Sequence, residues 1–125
     1  MNTSSPIGHE FTITIFGVDK QLLNDSKRLK KILEDSASSD NYKILYSISH
    51  NFEKQGASAM VLISESHLCV HTYPEYNCLV FNFYTCRGEN EGTKCVEYLR
   101  KNIKHKRFII DDRKIIVNEK LLKSK

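Results

Sequence analysis

Four strand patterns follow one another between Tyr42 and Cys86, and they constrain the fold more tightly than any other feature of the chain. Tyr42 to Phe52 alternates, with Ile44, Tyr46, Ile48, His50 and Phe52 on one parity, which is the period of a strand. Met60 to Ile63 is a continuous apolar run, as expected of a strand covered on both faces. Ser64-Glu65-Ser66 reads as a turn and His67 to Tyr73 as the return strand. That strand should end at Pro74, which has no N–H to give to a ladder. Cys78 to Cys86 is apolar and aromatic on both parities, so it should meet little solvent on either side.

The flanks add helices. Phe11, Ile13 and Ile15 alternate with Thr12 and Thr14, and Gly17 breaks the pattern. Asp19 can cap a helix in which Leu22, Ser26, Leu29 and Leu33 share a face, with Lys27, Lys30 and Lys31 outside. Ser36 to Asn41 reads as a polar loop, and Gly88 to Gly92 as another. Cys95, Leu99 and Ile103 mark a second helix. Arg107 to Val117 supplies one or two final strands, with Asp111-Asp112-Arg113 as a possible turn. The sum is a single α+β domain over residues 1–125, a two-layer sandwich. Its sheet is mainly antiparallel with two helices on one face. Two helices cannot cover both faces of so apolar a sheet, which leaves the other face for dimerisation.

Composition excludes several classes. No run of 18 apolar residues exists, so no membrane helix is expected. Residues 1–6 lack the basic and apolar regions of a signal peptide, so a short disordered lead-in and a cytoplasmic location are expected. Cysteines at 69, 78, 86 and 95 form no C-x-x-C pair; free thiols are expected, and no metal site. Ten Lys/Arg against three Asp/Glu lie from Arg100 to Lys125, and nine against twelve before. That basic end has no interleaved aromatics and no helix-turn-helix or zinc-finger spacing, so it reads as a solvated face rather than a nucleic-acid site.

Chemistry concentrates from Ile63 to Tyr76, where two carboxylates, two imidazoles and two serines fall within fourteen residues. In a tight turn the Ser66 hydroxyl can lie close to the Glu65 carbonyl. Attack there converts the amide to an ester. A base that then removes the Ser66 α-proton eliminates residue 65 as a carboxylate and leaves dehydroalanine, which hydrolyses to a pyruvoyl group. Donors for the oxyanion and a base are needed. His71 is the candidate base, since imidazole titrates near neutral pH. Ser66 and His71 have opposite parity, however, so both on one regular strand would face apart.

Ile63-Ser64-Glu65-Ser66-His67-Leu68, followed by Val70-His71-Thr72-Tyr73-Pro74-Glu75-Tyr76, resembles the signature of the short bacterial and archaeal S-adenosylmethionine decarboxylases. Phe83-Tyr84-Thr85-Cys86, Ser49-His50-Asn51-Phe52 and Gly56-Ala57-Ser58-Ala59 are similar in type and spacing. The resemblance implies cleavage between Glu65 and Ser66, giving a β chain of residues 1–65 and an α chain of 66–125 with an N-terminal pyruvoyl cofactor. It implies that Ser58 and His71 assist processing, His71 as the α-proton base. It makes Cys86 the acid that reprotonates the product carbon, a role that suits a thiol. Phe52 would stack on adenine, and Glu75 would accept hydrogen bonds from the ribose hydroxyls. The substrate implied is S-adenosylmethionine, decarboxylated to the aminopropyl donor of spermidine biosynthesis. The partner implied is a second copy, as a homodimer or a dimer of α/β heterodimers, packed sheet to sheet.

The chain departs from that pattern at Gly8-His9-Glu10, at Asn77, at Arg87-Gly88, where glycine usually follows the cysteine directly, and at Gly92. These leave the processing residues untouched and bear on substrate choice. Arginine or ornithine as substrate is one alternative; an unprocessed, non-catalytic homologue is another.

Overall fold

The computed structural model describes residues 5–64, 66–87 and 91–122. Its elements, in chain order, are β1 (Ile7–Phe16), α1 (Lys20–Leu23), α2 (Ser26–Ser39), β2 (Ile44–Asn51), β3 (Ala57–Ile63), β4 (Ser66–Tyr73), β5 (Cys78–Thr85), α3 (Thr93–Asn102) and β6 (Arg107–Ile116). The strands form one sheet in the order β2-β3-β4-β5-β1-β6, and every neighbouring pair is antiparallel. The first strand is thus inserted between the fifth and the last.

The α+β sandwich holds, with one side of the sheet covered by helices. Leu29, Leu33 and Ala37 of α2 and Cys95, Val96 and Leu99 of α3 close a core over Phe11, Ile13, Val61, Leu68, Phe81 and Phe83. Apolar area removed from water here is the main stabilising term.

Three local expectations change. The helix after Asp19 is broken in two. Asp19 caps α1 by accepting from the Gln21 N–H, and Asp25 caps α2 by accepting from the Arg28 N–H. Two short acidic caps six residues apart give the backbone a place to restart. The helix then runs on to Ser39, through most of the expected loop, because Ser36 is buried and donates to the Cys95 carbonyl at 3.0 Å. Finally, β6 is one unbroken strand, with no turn at Asp111-Asp112-Arg113. Those residues pair across to Thr12, Phe11 and Glu10. Arg113 Nε donates to Glu10 at 2.8 Å, and Asp112 meets the buried His9 at 2.8 Å.

Among the described residues, no helix lies on the other side of the sheet. A register irregularity between Ile44 and Tyr46 turns the rest of β2 over. Ile44 packs against the core while Tyr46, Ile48 and His50 face outward. Met60 and Leu62, expected to be covered on both faces, are nearly half exposed in the single chain. The outward side chains line up across strands. One row is Tyr46, Leu62, His67, Tyr84, Glu10 and Arg113; the next is Ile48, Met60, Cys69, Asn82, Thr12 and Asp111.

Gly92 sets the start of α3. Its φ is +96°, and a Cβ there would collide with Phe83 Cε2 and lie 2.9 Å from Phe11 Cε2. Those rings are stacked at 5.6 Å inside the core and have no room to retreat. Gly92→Ala is expected to cost about 2–4 kcal/mol, from the left-handed backbone and overpacking together. Urea unfolding measures it; an unchanged midpoint would mean that α3 starts elsewhere.

Candidate active site

A third outward row is His50, Ser58 and His71, followed by Val80. Ser58 and His71 are direct cross-strand partners, and Ser58 Oγ shares a 2.6 Å hydrogen bond with His71 Nδ1. That bond fixes the orientation of the imidazole and leaves Nε2 for chemistry. With Ile48, Met60 and Cys69, these side chains line a shallow cavity of about 150 Å³. Burial pushes the Cys69 thiol up, which keeps it protonated and suits it to packing.

Phe52 lies just past β2. Its N–H donates to the Gly56 carbonyl at 2.9 Å, closing the turn into β3. Its ring is half exposed and edge-on to His50 at 5.1 Å. Glu75 sits in the single helical turn Pro74–Tyr76 that ends β4, as proline requires. Asn77 closes this turn with φ +52°, a conformation that asparagine tolerates better than most residues. The departure from glycine at 77 therefore keeps the backbone.

Ser66 and Cys86 occupy the opposite end of the sheet. Ile63 and Ser66 are paired, so the hairpin turn has two residues. One of them, Glu65, lies outside the described residues. Ser66 begins β4 in regular pairing opposite Thr85. Its Oγ accepts the Cys86 N–H at 3.1 Å, and the Cys86 carbonyl accepts the Ser5 N–H at 3.0 Å. Burial and a hydrogen bond with the Cys86 thiol raise the Tyr84 phenol above its usual range. The Tyr84 ring in turn lies over His67 at 6.3 Å.

The candidates thus fall into two groups. Ser58, His71 and Phe52 gather with the newly found His50 where β4 finishes; Ser66 and Cys86 gather where it starts. Ser66 is in the strand, not off it, and has the parity of the buried Leu68 and Val70, whereas His71 faces outward. Five residues of strand separate Ser66 from His71, about 17 Å. The structure does not bring Ser66 and His71 together within one chain. His50 lay in plain sight on the parity of Ile48; only the strand pairing reveals that it adjoins Ser58.

Behind Cys86, on the helix side, is a polar cluster that the sequence did not announce. Arg87 Nη2 donates to the Asp40 backbone oxygen at 2.9 Å, to Asp40 Oδ1 at 3.0 Å and to Glu91 Oε1 at 3.2 Å. Its guanidinium lies 3.6 Å over the Tyr42 ring. Tyr42 Oη shares a 2.6 Å hydrogen bond with Thr85 Oγ1. Burial pushes the Tyr42 phenol up to about 12, against the lowering effects of Thr85 and Arg87. Burial likewise pushes the Cys95 thiol up to about 12, helped by the Asp40 charge.

Among the described residues, no three His, Cys, Asp or Glu side chains are placed to hold a metal ion. No helix there is long and apolar enough to cross a membrane.

Residues 9–114 match the family described as S-adenosylmethionine decarboxylase. An S-adenosylmethionine decarboxylase proenzyme of Sulfurihydrogenibium sp. is 33% identical over 102 residues, covering 82% of this chain and 77% of that one. The proenzyme of Thermoplasma volcanium is 33% identical over 98 residues, 78% of this chain and 75% of that one. The crystal structure of the adenosylmethionine decarboxylase from Aquifex aeolicus superposes with a TM-score of 0.76 at 23% identity, over 90% of this chain and 92% of that one.

Proposed function

Because the chain belongs to the S-adenosylmethionine decarboxylase family, we propose that it cuts itself between Glu65 and Ser66 and decarboxylates S-adenosylmethionine with the pyruvoyl group so formed. It is a carboxy-lyase. The name proenzyme, carried by the relatives, supports self-processing over an unprocessed homologue, and their substrate supports S-adenosylmethionine over arginine or ornithine. The product is the aminopropyl donor for spermidine biosynthesis.

The observation that carries the reading is the Ile63–Ser66 hairpin, whose two-residue turn presents Ser66 at its exit and holds it against Cys86. Residues there fit the implied group: a serine at the exit of the turn, a backbone donor at its Oγ, and a thiol on the residue that donates. Ser66 Oγ attacks the Glu65 carbonyl carbon, and the peptide bond gives way to an ester. Removal of the Ser66 α-proton then expels residue 65 as a carboxylate, and water completes the change with loss of ammonia. The group supplies an electron sink that is part of the chain, so no separate cofactor is needed. Cys86 delivers a proton to the carbon that has lost carbon dioxide. Phe52 offers a half-exposed aromatic face to the adenine or the sulfonium, and Glu75 accepts from the ribose hydroxyls.

The base is required at the Ser66 α-proton, not at Oγ, so His71 need not share the face of the serine side chain. It must still be near. A second copy supplies that proximity. Two open faces packed about a twofold axis, lying in the interface and crossing the strands, place the His71 end of one protomer over the Ser66 end of the other. The apolar pairs Tyr46–Leu62 and Ile48–Met60 become the dry part of that interface. Met60→Asp is expected to yield a monomer that neither cuts itself nor turns over. Light scattering checks the first outcome; an active monomer would sink the two-protomer site.

The functional experiment is release of carbon dioxide from carboxyl-labelled S-adenosylmethionine, arginine and ornithine. Release from S-adenosylmethionine alone is the expected result. Release from either of the others, and not from it, overturns the substrate.

A further inference from the structure

Arg87 is used by no step above, yet it is one of the most heavily engaged side chains in the molecule. The side chain is 23% exposed, and its Nε is enclosed without a hydrogen-bond partner among the described residues. Burying a guanidinium is a poor way to gain stability, because desolvation offsets most of the attraction. What such an arrangement supplies is a fixed geometry.

The parts held in place are those next to the reacting serine. The Arg87 N–H donates to Thr85 Oγ1 at 3.2 Å, and the same oxygen bonds Tyr42 Oη. Between them, the Cys86 N–H reaches Ser66 Oγ. Arg87 Nη2 grips Asp40, the capping residue at the end of α2, at both its backbone and its carboxylate oxygen. The second oxygen of Asp40 accepts the Cys95 N–H of α3 at 3.3 Å. The exit of β5 is thereby tied to both long helices through one side chain. The flat guanidinium rests on Tyr42, whose hydroxyl is itself fixed to the residue before Cys86.

We propose that Arg87 is a positioning residue: by anchoring the β5 exit to Asp40 and Tyr42, it keeps Cys86 against Ser66 and so sets the rates of self-cleavage and of product protonation. This rests on the self-processing reading. Displacing a reacting group by about an ångström costs on the order of a hundredfold in rate, so a loosened exit should be visible in kinetics well before it is visible in stability.

Full-length wild type, Arg87→Ala, Arg87→Lys and, as a control on the exposed face of α2, Lys31→Ala are compared. Denaturing mass spectrometry follows cleavage, and thermal melting follows folding. Arg87→Ala is expected to cut about tenfold or more slowly, and millimolar guanidinium ion restores the rate in a saturable way. Arg87→Lys keeps a charge near Asp40 but lacks the flat fork that rests on Tyr42, so it cuts at an intermediate rate. Cleaved Arg87→Lys enzyme shows a lowered kcat with KM unchanged within about twofold, since the acid and not the substrate grip is misplaced. Lys31→Ala matches the wild type. Wild-type rates in folded Arg87 variants overturn the proposal and leave self-processing standing; a wild-type chain that never cuts overturns both. Should Arg87→Ala fail to fold, the cleavage rate of Arg87→Lys alone decides.

Discussion

A Ser66→Ala chain is expected to stay a single polypeptide of 125 residues, and the wild type to resolve into pieces of residues 1–65 and 66–125, the latter blocked at its new N-terminus. No other hydroxyl in the hairpin replaces Ser66 at the bond that must break, so cleavage should fall by on the order of 10⁴-fold or more. Decarboxylation falls with it, because the electron sink is never made. Stability should hardly change. The substitution removes one acceptor from the Cys86 N–H, an effect of about 1 kcal/mol. Intact-mass measurement after long incubation, beside a melting curve, separates the chemical loss from a folding defect. Two fragments from the alanine chain would show that the scissile bond lies elsewhere.

The second large effect concerns His71. His71→Ala alone should not complete its cleavage. Co-expressed with a distinguishably tagged Ser66→Ala chain, however, the His71→Ala chains are expected to be cut and the Ser66→Ala chains to remain whole. The alanine-66 chain lends its intact His71 across the interface and has no serine of its own to use. Random assortment into symmetric dimers places roughly half of the His71→Ala chains in mixed pairs, so about half of them should be cleaved. Complete absence of cleavage in the mixed pairs would return the base to the same chain as the serine. It would then require the hairpin to leave the regular pairing in which Ser66 lies opposite Thr85.

How far the sequence carries this depends on the kind of information each feature needs. Strands β4 and β5 are legible because punctuation is local, the turn at Ser64 and the stop at Pro74, whereas the apolar run Met60–Ile63 hid the alternation of β3, which begins at Ala57. The chemistry proposed for the hairpin is local too, since Glu65 and Ser66 are neighbours in the chain. Register is not local. His50, Ser58 and His71 share a row only because a two-residue turn joins β3 to β4 and an irregularity between Ile44 and Tyr46 turns β2 over. The run Asp111-Asp112-Arg113 reads as a turn because its charges call for solvent or partners; the partners are His9 and Glu10, about a hundred residues earlier. The helix break at Asn24-Asp25 was written in the capping chemistry of Asp25 and was masked by the apolar spacing that runs across it. The Arg87 anchor was invisible, since Asp40, Tyr42 and Thr85 acquire meaning only when the end of α2 meets the exit of β5.

Insertion of β1 between β5 and β6 would give the proposed self-cleavage a direction in time. Once the hairpin opens, the upstream piece holds β1, β2 and β3 and the downstream piece β4, β5 and β6, and the two are laced along three seams. Cutting therefore does not release them. It does change what unfolding means. Before the cut, one chain closes its sheet by itself; afterwards, two separate polypeptides must find one another and thread a strand between two others, so the folding of even a single protomer would depend on concentration. On the self-processing reading, the peptide bond after Glu65 is thus a folding tether with a limited lifetime. A molecule that cut too early would be left to assemble from strangers, so cleavage slower than folding would protect it.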